Sequence, residues 1–238
     1  MHEPTRNPIA ATIEGRWRDV AAIEEAFARG EIDASEWHAR MAALVVPAYL
    51  AGDNPRAQSG YSGTDEDWTQ ARSLVADAID RSGTFLDVGC ASGLLMESVH
   101  GWCSDRGLDV QPYGLDISPE LAALAQRRLP RWADRIFDGN AATWIGPRRF
   151  DFVRTGLEYV PRSRRADLIA HFRAHVVAPR GRLLIGSYNE ERDDTRSTPS
   201  LEEDIQAWGF DVAGRIERPH RHDDRVVRRL VYLDFEQQ

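Results

Sequence analysis

From about residue 84 the chain alternates short apolar runs with amphipathic segments of helical period, and that alternation admits few folds. Strands joined in series by helices build a parallel sheet with crossover helices on its faces. The runs TFLDV (84–88), VQPYGLD (110–116), RIFD (135–138), FDFVRT (150–155) and RLLIGSY (182–188) are the predicted strands. Between them, Ser92 is placed to cap a helix carrying Leu94, Leu95 and Val99. Ser118, with Pro119 at the first helical position, opens one carrying Leu121, Leu124 and Ala125. Another helix is predicted from about Pro161 to Val177, stopping before Pro179 and Gly181. A polar stretch (189–200) and a helix around Leu201–Trp208 follow. The last two runs, FDVAGRIE and VVRRLVYLDF, are separated only by a polar turn, which joins antiparallel strands. The fold class is α/β, a doubly wound sheet of about seven strands, mostly parallel and finished by a C-terminal antiparallel hairpin.

The first 63 residues differ, with helical patterning and no strand-like run. Ile13, Trp17, Val20, Ala21, Ile23 and Phe27 recur at helical spacing up to Gly30. Asp33 and Glu36 stand at capping-box spacing before a second stripe of Trp37, Met41, Leu44 and Val45. The turn-rich segment GDNPRAQSGYSG (52–63) is predicted to be a loop leading into a third helix near Thr64. The expected organisation is a helical segment over 1–63 and an α/β domain over 64–238.

Composition removes several chemistries. All 30 basic residues are arginine, so a P-loop lysine, a pyridoxal Schiff base and a lysine general base are excluded. With 38 acidic residues the formal charge is −8, which argues against a broad grip on nucleic acid. No apolar run approaches the ~20 residues of a membrane helix, and the first residues lack a signal-peptide core. Two cysteines, Cys90 and Cys103, make neither a disulfide framework nor a four-thiolate metal site. These features together lead us to expect a cytoplasmic protein with no membrane partner.

The stretch Phe85–Leu95 carries the most chemistry. A buried strand enters a small-residue loop and then a helix, so Gly89 and Gly93 let a ligand approach the backbone and free helix-start amides face its polar groups. Asp116 ends the next strand 23 residues beyond Gly93, close to the ~20-residue offset at which an acid reaches ribose hydroxyls. The dinucleotide fingerprint is poorly matched, because Ala91 and Leu94 stand where it needs glycine. Asp87 also suits a cationic ligand better than a pyrophosphate.

These residues resemble the class I S-adenosylmethionine-dependent methyltransferases, whose first motif, an acid followed by G-x-x-x-G, stands here as Asp87 to Gly93. The resemblance runs from about residue 64 to the C-terminus and implies a Rossmann-like sheet with the N-terminal helices as a lid over the acceptor. It implies S-adenosylmethionine as cofactor and S-adenosylhomocysteine as product. Asp87 and the loop Gly89, Cys90, Ala91, Gly93 would hold the methionine portion, Asp116 the ribose hydroxyls, and Ile117 the adenine face. FDGNAATW resembles the family's third-strand motif, which puts Asn140 and Ala141 beside adenine, with asparagine where many relatives have aspartate. The segment FDFVRTGLEYVP resembles the family's fourth-strand motif, with Tyr159 where histidine is frequent, and places Thr155 on the cofactor side.

The expected reaction is methyl transfer to an oxygen or nitrogen of a small molecule. Glu158, Tyr159 and Tyr61 are candidate catalytic residues, since a base is needed only if the acceptor must lose a proton. Arg56, in the same loop as Tyr61, is a candidate partner for the methionine carboxylate or an acidic substrate. Arg154 lies near the carboxyl end of an apolar strand, where an internal ion pair is the favoured reading. The cluster His220, Arg221, His222, Asp223 and Asp224 has metal-ligand composition at a hairpin tip, but no metal is expected. Cys90 reads as a packing residue. The competing readings are a dinucleotide-dependent oxidoreductase and a non-catalytic nucleoside-binding module. Oligomeric state is left open by the sequence.

Overall fold

The computed structural model describes residues 8–192 and 200–236; the side chains of Ile13, Trp17, Asp223 and Asp224 lie outside this description, as does 193–199 of the polar stretch. Two helices, α1 (Pro8–Ala28) and α2 (Ala34–Leu50), precede α3 (Asp65–Arg72) and α4 (Leu74–Asp77). The alternation then runs β1 (Gly83–Val88), α5 (Leu94–Ser104), β2 (Val110–Asp116), α6 (Pro119–Arg128), β3 (Ile136–Asp138) and β4 (Phe150–Thr155). It continues through α7 (Arg165–His171), β5 (Val177–Arg192), α8 (Leu201–Ala207), β6 (Gly214–His220) and β7 (Asp223–Asp234).

These strands form one seven-stranded sheet in the order β3-β2-β1-β4-β5-β7-β6. β1 to β5 are parallel, and β7 lies antiparallel between β5 and β6. Period-two alternation distributes the core: Phe85, Phe152, Leu184 and Leu230 join the layer carrying α3 to α6. Leu86, Val153, Leu183, Val231 and Leu233 face the opposite layer with α7 and α8. Strand order reverses between β1 and β4, so the crevice at their carboxyl ends is where such sheets bind ligands. A smaller cluster of Ile23, Ala26, Ile32 and Trp37 holds α1 against α2.

Three local expectations are corrected. Ser92 does not cap α5: Gly93, in the left-handed region at φ 74°, takes the N-cap position. The Ser92 hydroxyl instead donates to the Pro55 carbonyl (2.9 Å) and lies 2.7 Å from Ser59 Oγ, tying the 52–63 loop to the sheet. The helix expected over 161–177 is broken into a 3-10 turn at Arg162–Arg164, α7, and a π turn at Phe172–Val176. β5 runs past its expected end because antiparallel pairing with β7 continues to Arg192. The caps at Asp33, Thr64 and Ser118 form as the sequence predicts, with a full capping box at Thr64 and Asp67.

Candidate functional site

A cavity of about 330 Å³ opens over the carboxyl ends of β1, β2 and β4, within the ~300–1,000 Å³ range of small-ligand sites. Its floor is the strand tips, its roof is α2, and its side is the C-terminal end of α3 with the segment after β4.

The floor begins with the loop after β1. Gly89, Ala91 and Gly93 all have positive φ (72°, 48° and 74°), which folds the chain tightly and turns its amides inward: those of Gly89 and Cys90 donate to the Leu115 carbonyl (2.7 and 3.0 Å) and that of Gly93 to the Cys90 carbonyl (2.7 Å), so the loop amides expected to face a ligand are already bonded. For Ala91 that conformation costs roughly 1 kcal/mol or more and is maintained by a hydrogen bond from its amide to Asp116 Oδ2 (2.8 Å). The other oxygen, Oδ1, accepts the Ser118 amide (2.9 Å). Asp116 is only 6% exposed, and burial raises its pKa against the pull of these amides. A carboxylate offers about four acceptor sites, so the amides of Ala91 and Ser118, with that of Ile117 beside them, still leave room for a ligand hydroxyl. Next to it Ile117 keeps an apolar side chain 41% exposed at the cavity wall, as a flat ring lying against it would require. Gly139, Asn140 and Ala141 close this end; the Asn140 side-chain oxygen accepts from the Ala142 amide (2.9 Å).

Asp87 and Arg154 meet at the junction of β1 and β4. Arg154 Nη1 donates to Asp87 Oδ1 (3.1 Å), to the Val88 carbonyl (3.1 Å) and to the Tyr159 hydroxyl (3.3 Å). The internal ion pair read from the sequence is therefore present, and the cation beside Asp87 is supplied by the protein. Burial lifts the Asp87 carboxyl to about 6 even though Arg154 pulls it down. For Arg154, burial is outweighed by Tyr159 and Asp87, and its pKa is raised. Burial likewise pushes the Tyr159 phenol up, and its hydroxyl packs so closely on Gly89 that a Cβ there would overlap it. The Cys90 thiol is driven well above its ordinary range by burial, consistent with packing rather than nucleophilic chemistry.

The roof is fastened to this floor by His38. Its Nδ1 is 2.6 Å from the Ala34 carbonyl and its Nε2 is 3.0 Å from the Tyr159 carbonyl; a neutral ring donates to one of the two, and with its proton on Nε2 it ties α2 to the segment after β4. Trp37, Met41, Val45 and Tyr49 complete the roof. On the side wall, the Arg72 guanidinium stands 5.2 Å from the Tyr61 ring centre and 5.4 Å from that of Trp68. Burial, with Arg154 nearby, lowers its pKa to about 10, so it stays charged at neutral pH.

The cavity brings together Asp87, Gly89, Cys90, Ala91, Asp116, Ile117, Asn140, Ala141, Glu158 and Tyr159. Four candidates do not line it. Gly93 shapes the turn from behind, and Thr155 is fully buried with its hydroxyl donating to the Gly156 carbonyl (2.9 Å). Arg56 is turned away: Nη1 donates to the Gly63 carbonyl (2.6 Å) and Nε pairs with Asp65 (3.0 Å). Tyr61 packs edge-on against Trp68 (5.4 Å) under Arg72. Sequence reasoning missed His38, Tyr49 and Arg72. Arg72 stands one helical turn after Trp68, and that i,i+4 spacing from a large aromatic was the available signal. At the hairpin tip, His222 and Arg221 pair with Asp67 (2.9 and 3.3 Å), docking the hairpin on α3.

No family model and no curated protein matches this sequence. Solved structures resemble it in fold. One is the N-methyltransferase NodS from Bradyrhizobium japonicum WM9, in complex with S-adenosyl-L-homocysteine. Its TM-score is 0.57 at 19% identity, covering 79% of this chain and 96% of that one. Another is the cyclase SpnF, with a TM-score of 0.56 at 17% identity, covering 86% of this chain and 97% of that one. At these identities the likeness establishes the Rossmann-like methyltransferase fold, in agreement with the sheet order described above.

Proposed function

From a fold shared with class I methyltransferases, we propose that this chain is an S-adenosylmethionine-dependent methyltransferase acting on an oxygen or nitrogen of a small molecule. The observation that carries the reading is the Asp116 carboxylate, buried beside the exposed face of Ile117 and retaining acceptor sites toward the cavity. A ribose with two hydroxyls and an apolar base suits that pair, and the absence of a dinucleotide fingerprint disfavours a pyrophosphate.

Bound S-adenosylmethionine supplies an electrophilic methyl on a sulfonium. The protein's own residues then have separable tasks. Asp116 receives the ribose hydroxyls, Ile117 packs on adenine, and Asn140 offers a polar edge to its amino group. Asp87 faces the ammonium of the amino-acid tail. Arg72, rather than Arg56, faces the tail carboxylate, since it lies in the cavity wall while Arg56 is bound to Gly63 and Asp65. The α2 roof excludes water from the reacting atoms, and the helices fix the acceptor in line with the methyl, which is where most of the acceleration of such a displacement arises. A compact, largely apolar roof over residues 37–49 supports a small acceptor rather than a macromolecule.

The likeness to SpnF is a reminder that fold alone does not decide the reaction. Thermal melting separates the readings. At a hundredfold excess over Kd, S-adenosylhomocysteine stabilises by about 2.7 kcal/mol, raising Tm by roughly 5–10 °C, whereas NADH leaves it unchanged. A larger shift with NADH would replace this proposal by the dinucleotide one. Donor-product binding with no labelled methyl leaving the donor for any acceptor would favour a non-catalytic module.

A further inference from the structure

Two polar groups that line the cavity have no task in the scheme above. Tyr49 comes from the roof, in the last turn of α2, and Glu158 from the segment after β4; both line the cavity. Neither hydroxyl nor carboxylate makes a hydrogen bond or an ion pair among the described residues. Each group lies close against a glycine. A Cβ on Gly60, which takes a left-handed conformation at φ 71°, would overlap the Tyr49 hydroxyl. A Cβ on Gly156 would overlap the Glu158 carboxylate, which folds back over the tip of β4. The arrangement therefore holds a donor hydroxyl and an acceptor carboxylate lining one cavity, each without a protein hydrogen bond there and each open to an acceptor that enters.

We propose that Tyr49 and Glu158 together grip the nucleophile of the acceptor and select a hydroxyl over an amine, an inference that rests on the methyltransferase reading. The two groups differ in chemistry. The Tyr49 phenol is raised in pKa by burial and by Glu158, so it stays protonated and donates. The carboxylate can only accept, so it takes the proton of the nucleophile. A hydroxyl oxygen has one proton and two lone pairs. It can donate to Glu158, accept from Tyr49 and still present one lone pair to the methyl carbon. An amine nitrogen has a single lone pair, which a hydrogen bond from Tyr49 would occupy. In the step, an oxygen lone pair forms the new C–O bond and the C–S bond breaks with its electrons passing to sulfur. The hydroxyl proton moves to Glu158, whose exposed side chain returns it to solvent.

The test pairs identically substituted phenols and anilines with labelled S-adenosylmethionine and measures S-adenosylhomocysteine affinity in parallel for the full chain, Tyr49→Phe and Glu158→Gln. The expected result is methylation of phenols at least tenfold faster than of the matching anilines. Glu158→Gln should slow the phenols about a hundredfold or more. Tyr49→Phe should slow them about tenfold and bring the phenol-to-aniline ratio to within threefold. Both variants should bind S-adenosylhomocysteine within threefold of the unaltered chain, which also shows that they are folded. Anilines methylated as fast as phenols, phenol rates insensitive to both substitutions, or donor-product binding with no phenol methylated would each overturn the inference. Absence of donor-product binding to the unaltered chain would instead sink the methyltransferase reading itself.

Discussion

The floor and the roof of the cavity hold their polar groups by different means. On the floor, Asp116 is fixed by the amides of Ala91 and Ser118, and Asp87 by Arg154, so each carboxylate is buried and partnered before any ligand arrives. On the roof and side, Tyr49 and Glu158 make no such bonds among the described residues, and the roof is joined to the floor through the His38 imidazole. A preorganised floor suits a ligand part that is always the same, because no ordering cost recurs at each binding event. A roof carried on a two-helix segment suits the part that differs between enzymes of one fold, since changing it leaves the sheet intact.

The contrast is most severely strained at the Asp87–Arg154 pair, where both residues are nearly inaccessible. Arg154→Met leaves a buried carboxylate without its cation and should cost about 3–5 kcal/mol, read as a fall in Tm of roughly 10 °C. Adding Asp87→Leu should restore much of that loss. A melting temperature unmoved by Arg154→Met would show the floor is not held by this pair. Asp116→Ala removes the ribose acceptor and the brace of the Ala91 amide, and is expected to weaken S-adenosylhomocysteine by about a hundredfold, equivalent to ~2.7 kcal/mol. Next comes the choice of arginine. Arg72→Gln should weaken binding about tenfold or more, and Arg56→Gln by less than twofold, as titrations of the two variants would reveal; the reverse order would return the carboxylate to the loop.

A further effect is one of pH. Asp87 titrates at about 6 in the folded protein, above its ordinary 3.8, so between these values the folded state holds more protons than the unfolded one. Its charging therefore opposes folding as pH rises through 6, and that cost is absent below about 4. A ligand ammonium favours the ionised carboxylate. Affinity for S-adenosylhomocysteine should accordingly be flat above pH 7 and fall toward about tenfold weaker by pH 5, with proton release on binding near pH 6. A profile flat from pH 5 to 8 would remove Asp87 from the tail site.

The same division explains what the sequence made legible. The Gly89–Ala91 part of the β1 loop, Asp116 and Ile117 were readable because their geometry is set within short βαβ spacing, and all of them reach the cavity. The roof depends on contacts such as His38 to Tyr159, 121 residues apart, which no local pattern encodes. Trp37, Met41 and Val45 read as an ordinary core stripe, and Trp37 does pack in the α1–α2 cluster, yet the stripe also faces the cavity and continues to Tyr49. Arg56 and Tyr61 were chosen because they sit in a turn-rich loop. Loop composition carries no direction, and the capped start of α3 draws Arg56 to Asp65 while Tyr61 packs on Trp68. Ser92 failed as a cap for a related reason: the next residue is a glycine free to take the left-handed N-cap position.

The central claim is that the crevice over β1 and β2 binds the donor nucleoside. Isothermal titration of the folded chain with S-adenosylhomocysteine at pH 7.5 tests it most directly. The account predicts saturable heat with one ligand per chain, and silence from NADH under the same conditions. Folded protein that gives no heat with S-adenosylhomocysteine would contradict it.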